Sequence, residues 1–214
     1  LTSLLIETLK PGIAAAIDRF GAGRVAVVIG TSNSGVDEGV RHLRTRLATG
    51  EWPENYHYER QEMADPARFA GSLIGAGGPV YALSTACTSG AKAIATAARM
   101  LQTGLADAVL CGGVDTLCDL TLNGFASLES ISPTPCNPFS LNRNGITIGD
   151  GGALFLMTRE PGPWRLEGWG ESSDAHHASA PDPTGAGAEI ALRKALESAG
   201  LAGKDVGFVH AHGT

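Results

Sequence analysis

Apolar positions along the chain alternate between two rhythms. Leu4, Leu5, Leu9, Ile13, Ala16, Ile17 and Phe20 recur at near-helical spacing. That spacing predicts a helix over residues 4–20, interrupted or restarted at Pro11-Gly12 and ended by Gly21-Ala22-Gly23. Residues 25–29 are a continuous apolar run rich in β-branched side chains, the pattern of a strand buried on both faces. A polar loop (31–35) and a polar-faced helix (36–48) follow, then a polar, aromatic, irregular stretch (51–65) suited to a lid or an interface. Residues 79–85 read as a strand, 90–103 as an alanine-built helix, and 108–111 as a strand ended by Gly112-Gly113. A short helix is expected over 121–130 and a long, proline-containing loop over 132–150. Strands over 152–157 and 165–170, an amphipathic helix over 185–199 closed by Gly200, and a last strand over 206–210 complete the reading. Strands alternating with helices predict an α/β fold around a mainly buried sheet.

Composition narrows the field. The 214 residues include 29 glycines, roughly twice the usual share, without the three-residue period of collagen. With 43% hydrophobic and 18% charged residues the chain can bury a core without staples. A formal net charge of −6 argues against a nucleic-acid partner, which would need clustered positive charge. No apolar run is long enough for a membrane span. Cys87, Cys111, Cys118 and Cys136 follow no secretory signal and read as reduced thiols in a cytoplasmic protein. Their spacing does not suit a metal site, which would want short gaps between ligands. Gly21-Ala22-Gly23 precedes a strand instead of following one, the wrong context for a dinucleotide. Arg41, Arg44 and Arg46 read as a solvated helix face, and Asp150 and Asp174 as turn or capping residues.

Two stretches carry candidate chemistry. In Ser84-Thr85-Ala86-Cys87-Thr88-Ser89-Gly90 a thiol sits where an apolar strand turns into an alanine-rich helix. Small neighbours permit a sharp turn, and unpaired N–H groups at a helix start favour a thiolate and can bind an oxyanion. A free cysteine is also often simply buried. The second stretch, His210-Ala211-His212-Gly213-Thr214, follows an apolar run, and strand ends are where α/β sheets gather active-site residues.

Together, STACTSGAKA and HAHGT resemble the nucleophile and histidine motifs of the β-ketoacyl-acyl carrier protein synthases, condensing enzymes of the thiolase superfamily. The resemblance runs from about Val25 to Thr214 through ADAVLCGGVD, Asn123-Gly124-Phe125-Ala126, CNPFSLNRNGITIGDGG and Ser172-Ser173-Asp174-Ala175-His176-His177. It implies a layered α-β-α-β-α thiolase-like fold. Residues 1–160 would form the N-terminal half carrying the nucleophile, and residues 161–214 the start of the C-terminal half carrying the first catalytic histidine. It further implies that Cys87 accepts an acyl chain as a thioester, that His212 stabilises an enolate oxygen and that Phe125 lines the acyl pocket. Thr214 and Ser179 would contact the pantetheine arm, and His177 would stand near the access tunnel. The implied partners are an acyl carrier protein and a second synthase subunit, identical or related, paired along residues 80–85. No cofactor is expected on the chain itself, since substrates ride on the carrier protein's phosphopantetheine.

The run after Cys87 and the 143–150 loop look most like synthases of aryl polyene pigment clusters. The alternative is a non-catalytic chain-length-factor-like subunit, but such partners generally lack the nucleophile. The resemblance also implies that a second histidine, a lysine and a glycine-rich loop lie beyond Thr214. The chain is then expected to be truncated at both ends, and these residues alone to be inactive in condensation. Asn144 and Ile146 stand where relatives usually have aspartate and phenylalanine. Glu129 and the Glu51-Trp52-Pro53-Glu54 segment replace positions that are often basic, against the usual electrostatic docking of an acidic carrier protein.

Overall fold

A computed structural model describes residues 1–177 and 180–213, in two compact units, Leu1–Arg159 and Glu160–Gly213. The first unit contains four strands: β1 (Val25–Gly30), β2 (Val80–Leu83), β3 (Ala108–Asp115) and β4 (Gly151–Thr158). They form one sheet in the order β2-β1-β3-β4. β1 runs parallel to both neighbours, in register Val27↔Val80 and Val25↔Ala108, whereas β4 runs antiparallel to β3 from Ala108↔Thr158 to Asp115↔Gly151.

Every residue of β1 is buried, because helices cover both faces of the sheet. Val27 and Ile29 point into one core with Ile6, Ile13, Ala67, Ala70, Leu110 and Leu154. Ala26 and Val28 point into the other, with Ala93, Ala97, Met100, Leu101, Val109 and Cys111. The period of two along a strand thus separates two cores that share one continuous apolar run. The first core is closed by α1 (Thr2–Glu7), α2 (Lys10–Phe20) and α4 (Asp65–Ile74), the second by α5 (Ser89–Gln102).

Boundaries differ from the sequence reading in instructive ways. The single helix expected over 4–20 is two, broken at Thr8-Leu9; Pro11 sits in the first turn of α2, where its missing N–H is harmless. The polar-faced helix is α3 (Val36–Thr49), whose Arg41, Arg44 and Arg46 are exposed but engaged, with Asp37, Asp119 and Glu51. The irregular stretch ends in a 3-10 turn (Tyr58–Gln61), with Trp52 stacked on Tyr56 at 4.1 Å. α4 has no counterpart in the sequence reading. Its buried face is Ala67, Ala70 and Gly71, residues too small to register as an apolar period. β3 does not stop at Gly112-Gly113 but continues to Asp115. Gly112, at φ 142°, lies so close to β4 that a Cβ there would stand 2.0 Å from the Ala153 carbonyl oxygen. α6 (Asp119–Ser127) lies slightly upstream of its expected place.

In the second unit the amphipathic helix is α7 (Ala186–Ala199), closed by a left-handed Gly200. The expected strands at 165–170 and 206–210 are not strands. A strand exists only within a hydrogen-bonded ladder, and no such ladder includes either segment among the described residues. The first instead lies along α7 through its glycines: a Cβ on Gly168 would stand 2.5 Å from the Ala195 carbonyl oxygen, and one on Gly170 2.0 Å from that of Ala191. Phe208 and Val209 in the second are largely exposed. Among the described residues no helix is long and apolar enough to cross a membrane.

At the end of the strands opposite the one that faces α5's start, Asp107 ties three segments together. Its carboxylate accepts from Arg24 Nε at 2.6 Å and from the Arg159 guanidinium, while Arg24 and Arg159 also donate to the carbonyls of Gly104 and Leu101. The Arg24 hydrogen bond, reinforced by Arg159, holds the Asp107 carboxyl below the usual carboxylate range. A depressed folded pKa stabilises the fold above the unfolded value of about 3.9, and that stabilisation disappears as pH falls through the folded value. Asp107→Asn should therefore lower the melting temperature at pH 7, and the gap to wild type should close as the pH is taken below about 4. Calorimetry across that range would reveal a constant gap if the ion pairs were irrelevant.

Candidate functional site

The chemistry suggested by the sequence centres on the turn between β2 and α5. β2 ends at Leu83 and α5 begins at Ser89, so five residues reverse the chain from strand to helix. Hydrogen bonds within the turn fix its shape. The Thr88 hydroxyl donates to the Thr85 carbonyl at 2.7 Å and the Ser89 hydroxyl to the Ala86 carbonyl at 2.6 Å. The Thr85 N–H donates to Ser89 Oγ at 2.9 Å, so the buried Ser89 side chain both gives and receives. Ala86 carries a φ of 53°, a conformation costing a non-glycine residue on the order of 1–3 kcal/mol. The consequence is that Cys87 stands exposed at the apex, two residues ahead of the helix.

What seats the helix start is glycine. A Cβ on Gly30, the last residue of β1, would lie 2.2 Å from the Ser89 carbonyl carbon. Gly113 of β3 approaches Gly90 so closely that its Cβ would lie 3.0 Å from the Gly90 Cα. Backbone therefore packs on backbone where α5 meets the carboxyl ends of β1 and β3. The small residues around Cys87 stand out in the sequence, but their counterpart Gly30 does not; a glycine closing a fully buried strand is the signal available for it.

The other cysteines are differently placed. Cys111 is fully buried in β3 and burial pushes its thiol up to about 12. Cys118 is buried beside Thr121 Oγ1 at 3.1 Å and Asn33 Nδ2 at 3.6 Å. Cys136 is half-buried, and hydrogen bonding to Thr147 holds its thiol below the ordinary cysteine value. Among the described residues no group of three or more His, Cys, Asp or Glu side chains is placed to hold a metal ion.

Phe125 is half-buried on α6, in the same unit as Cys87. His212 and His177 belong to the second unit, and both are exposed. His210, the neighbouring candidate, has its ring 6.3 Å from that of Phe208. Ser179 and Thr214 lie outside the described residues. Asp174 and Asp150 bind backbone across longer spans than a turn: Asp174 accepts the Asp182 N–H at 2.9 Å, and Asp150 accepts the N–H of Leu117, 33 residues upstream.

Comparison with known proteins decides the family. Residues 12–161 match the family model of the beta-ketoacyl synthase N-terminal domain, and residues 165–214 that of the C-terminal domain. The chain belongs to the β-ketoacyl synthase family. Among curated family members, it is 33% identical to nodulation protein E of Rhizobium meliloti over 92% of this chain and 49% of that one. It is 35% identical to the 3-oxoacyl-[acyl-carrier-protein] synthase 2 of Staphylococcus aureus over 66% of this chain and 38% of that one. Among solved structures, the Xenorhabdus doucetiae ketosynthase ApeO, in complex with its chain length factor ApeC, superposes with a TM-score of 0.93 at 47% identity, over 98% of this chain and 53% of that one. The ishigamide ketosynthase/chain length factor superposes with a TM-score of 0.81 at 26% identity, over 92% and 51%. The chain thus has the thiolase-like α/β fold of ketosynthases, and it spans about half the length or less of these relatives.

The burial of the four thiols makes a labelling pattern. Iodoacetamide applied to the folded protein should modify Cys87 and Cys136, whereas Cys111 and Cys118 should react only after denaturant is added. Peptide mapping by mass spectrometry reads this directly, and early modification of Cys111 would mean that β3 is not buried as described.

Proposed function

We propose that the protein containing this chain catalyses a decarboxylative Claisen condensation between an acyl thioester held on Cys87 and a malonyl-acyl carrier protein. The observation carrying the proposal is the exposed Cys87, at a left-handed turn against a helix start, in a chain of the β-ketoacyl synthase family. The Cys87 thiolate attacks the acyl thioester carbonyl and expels the carrier protein's pantetheine thiol, leaving the acyl chain on sulfur. The malonyl unit then loses CO₂, and the resulting carbanion attacks that thioester carbonyl. The new carbon–carbon bond forms as the Cys87 thiolate leaves. The N–H of Cys87 is one oxyanion donor, and His212 stabilises the enolate oxygen of the decarboxylated unit. Phe125 lines the acyl pocket, Ser179 and Thr214 contact the pantetheine arm, and His177 stands near its access tunnel. Residues 1–160 form the nucleophile-bearing half, and 161–214 open the histidine-bearing half.

The substrates arrive on the phosphopantetheine of an acyl carrier protein, and no resident cofactor is needed. The likeness to ApeO at 47% identity supports an aryl polyene-type synthase, working in the cytoplasm beside a related chain-length-factor subunit. β2 is the edge of its sheet, half-exposed along its length, and is the strand proposed to pair with that subunit or with a second copy. The competing reading, that this chain is itself the chain-length factor, is disfavoured by the presence of Cys87 in an exposed turn.

Cys87→Ser in the full-length protein should abolish transfer of an acyl group from acyl carrier protein, because serine offers no comparable anion at neutral pH. Intact-mass measurement after incubation with acyl carrier protein thioester is the check. Acylation of the serine variant, or of Cys136 in the wild type, would refute the assignment. Light scattering should show a dimer with itself or with the related subunit. A stable monomer at micromolar concentration, with both present, would refute the pairing along β2.

A further inference from the structure

The carboxylate of Asp115 gathers the loop that follows β1. It closes β3, and its Oδ1 accepts from the Thr31 hydroxyl at 2.9 Å, the Ser32 N–H at 2.7 Å and the Asn33 N–H at 3.2 Å. The loop is bound in turn to β2, to its own following residue and to the segment after β3. The Thr31 N–H donates to the Leu83 carbonyl at the end of β2 at 3.0 Å. Thr31 Oγ1 accepts the Ser34 N–H at 2.9 Å, and the Asn33 side-chain amide donates to the Thr116 carbonyl. Thr31 and Asn33 are both buried, so water could not replace these partners. One half-buried carboxylate therefore holds the carboxyl ends of β1, β2 and β3 in a fixed relation.

That relation has a consequence for Cys87. Gly30 immediately precedes the loop, and it is the residue on which the Ser89 carbonyl of α5 rests. Gly113, the other glycine under α5, lies two residues before Asp115. The turn bearing Cys87 is bounded by Leu83, tied to Thr31, and by Ser89, resting on Gly30. Both of its ends thus depend on a loop that Asp115 secures. We infer that Asp115 is a positioning residue for Cys87, acting through the 31–33 loop and Gly30 to hold the nucleophile turn and the start of α5 in place. The inference rests on the proposal that Cys87 accepts the acyl group.

What matters in this role is an acceptor at Oδ1 more than a charge. Asp115→Ala removes the acceptor, leaving a buried hydroxyl and two N–H groups without it; Asp115→Asn keeps an oxygen there. The experiment is single-turnover acylation of Cys87 in the full-length protein, with acyl carrier protein thioester varied to saturation. Asp115→Ala should slow the saturating rate by roughly 10- to 100-fold, the scale of a misplaced reacting group. Its half-saturation concentration should not change, since carrier-protein docking is untouched. Asp115→Asn should recover to within about 3-fold of wild type, a loss smaller than one hydrogen bond's usual net worth. Should Asp115→Ala fail to fold, Thr31→Val, which removes one of the donors, should still lower the saturating rate without moving half-saturation. A folded Asp115→Ala with a wild-type saturating rate would overturn the inference. So would an Asn variant as slow as the Ala variant, or a Thr31→Val variant at the wild-type rate where Asp115→Ala does not fold. A Cys87→Ser control separates the two levels: if it still acylates, the nucleophile assignment itself has failed.

Discussion

The first unit turns on a contact that side chains cannot make, the approach of the α5 backbone to the ends of β1 and β3. A helix normally stands off a sheet by the thickness of the intervening side chains. Here Gly30, Gly90 and Gly113 remove them, and the Ser89 carbonyl comes down onto β1 itself. The nearby turn from β2 must then be tight, which the left-handed Ala86 and the hydrogen bonds of Thr88 and Ser89 accomplish. Deeper in the sheet, the alternating faces of β1 supply the two cores that hold the helix and its counterparts. The exposed thiol at the apex is thus the product of a seat built from the least conspicuous residues in the chain.

Much of this is legible in the amino-acid sequence. The continuous run at 25–29 marks a doubly covered strand, and the motif around Cys87 marks a strand-to-helix turn. Other parts are not legible, for definite physical reasons. α4 buries Ala67, Ala70 and Gly71, and a periodicity sought among large apolar residues passes over it. Gly112-Gly113 looks like the end of a strand, but in β3 these glycines allow β4 and α5 to approach, and the ladder continues through them. At 165–170 and 206–210 the composition suits strands, yet pairing depends on a neighbour, which a local pattern cannot supply. The glycines at 168 and 170 serve α7 instead.

The candidate site shows the same division. The cysteine of interest can be singled out by its neighbours, and burial of Cys111 and Cys118 then sets them apart from it. What the motif does not reveal is the support beneath it. Gly30 lies 57 residues upstream of Cys87, and Asp115 28 residues downstream. Only the fold brings those supports to the carboxyl ends of adjacent strands, where α/β sheets expose their functional groups. His212 belongs to the second unit, and its proposed part in catalysis rests on the family.

The most direct test of the glycine seat is to give it a side chain. In Gly30→Ala the added methyl would meet the Ser89 backbone at a distance no real Cβ occupies, so the start of α5 must shift. The saturating rate of Cys87 acylation should then fall by at least about 10-fold in a variant that retains its circular dichroism and melts cooperatively. A folded Gly30→Ala protein acylated at the wild-type rate would contradict the claim that this backbone contact is what presents the thiol.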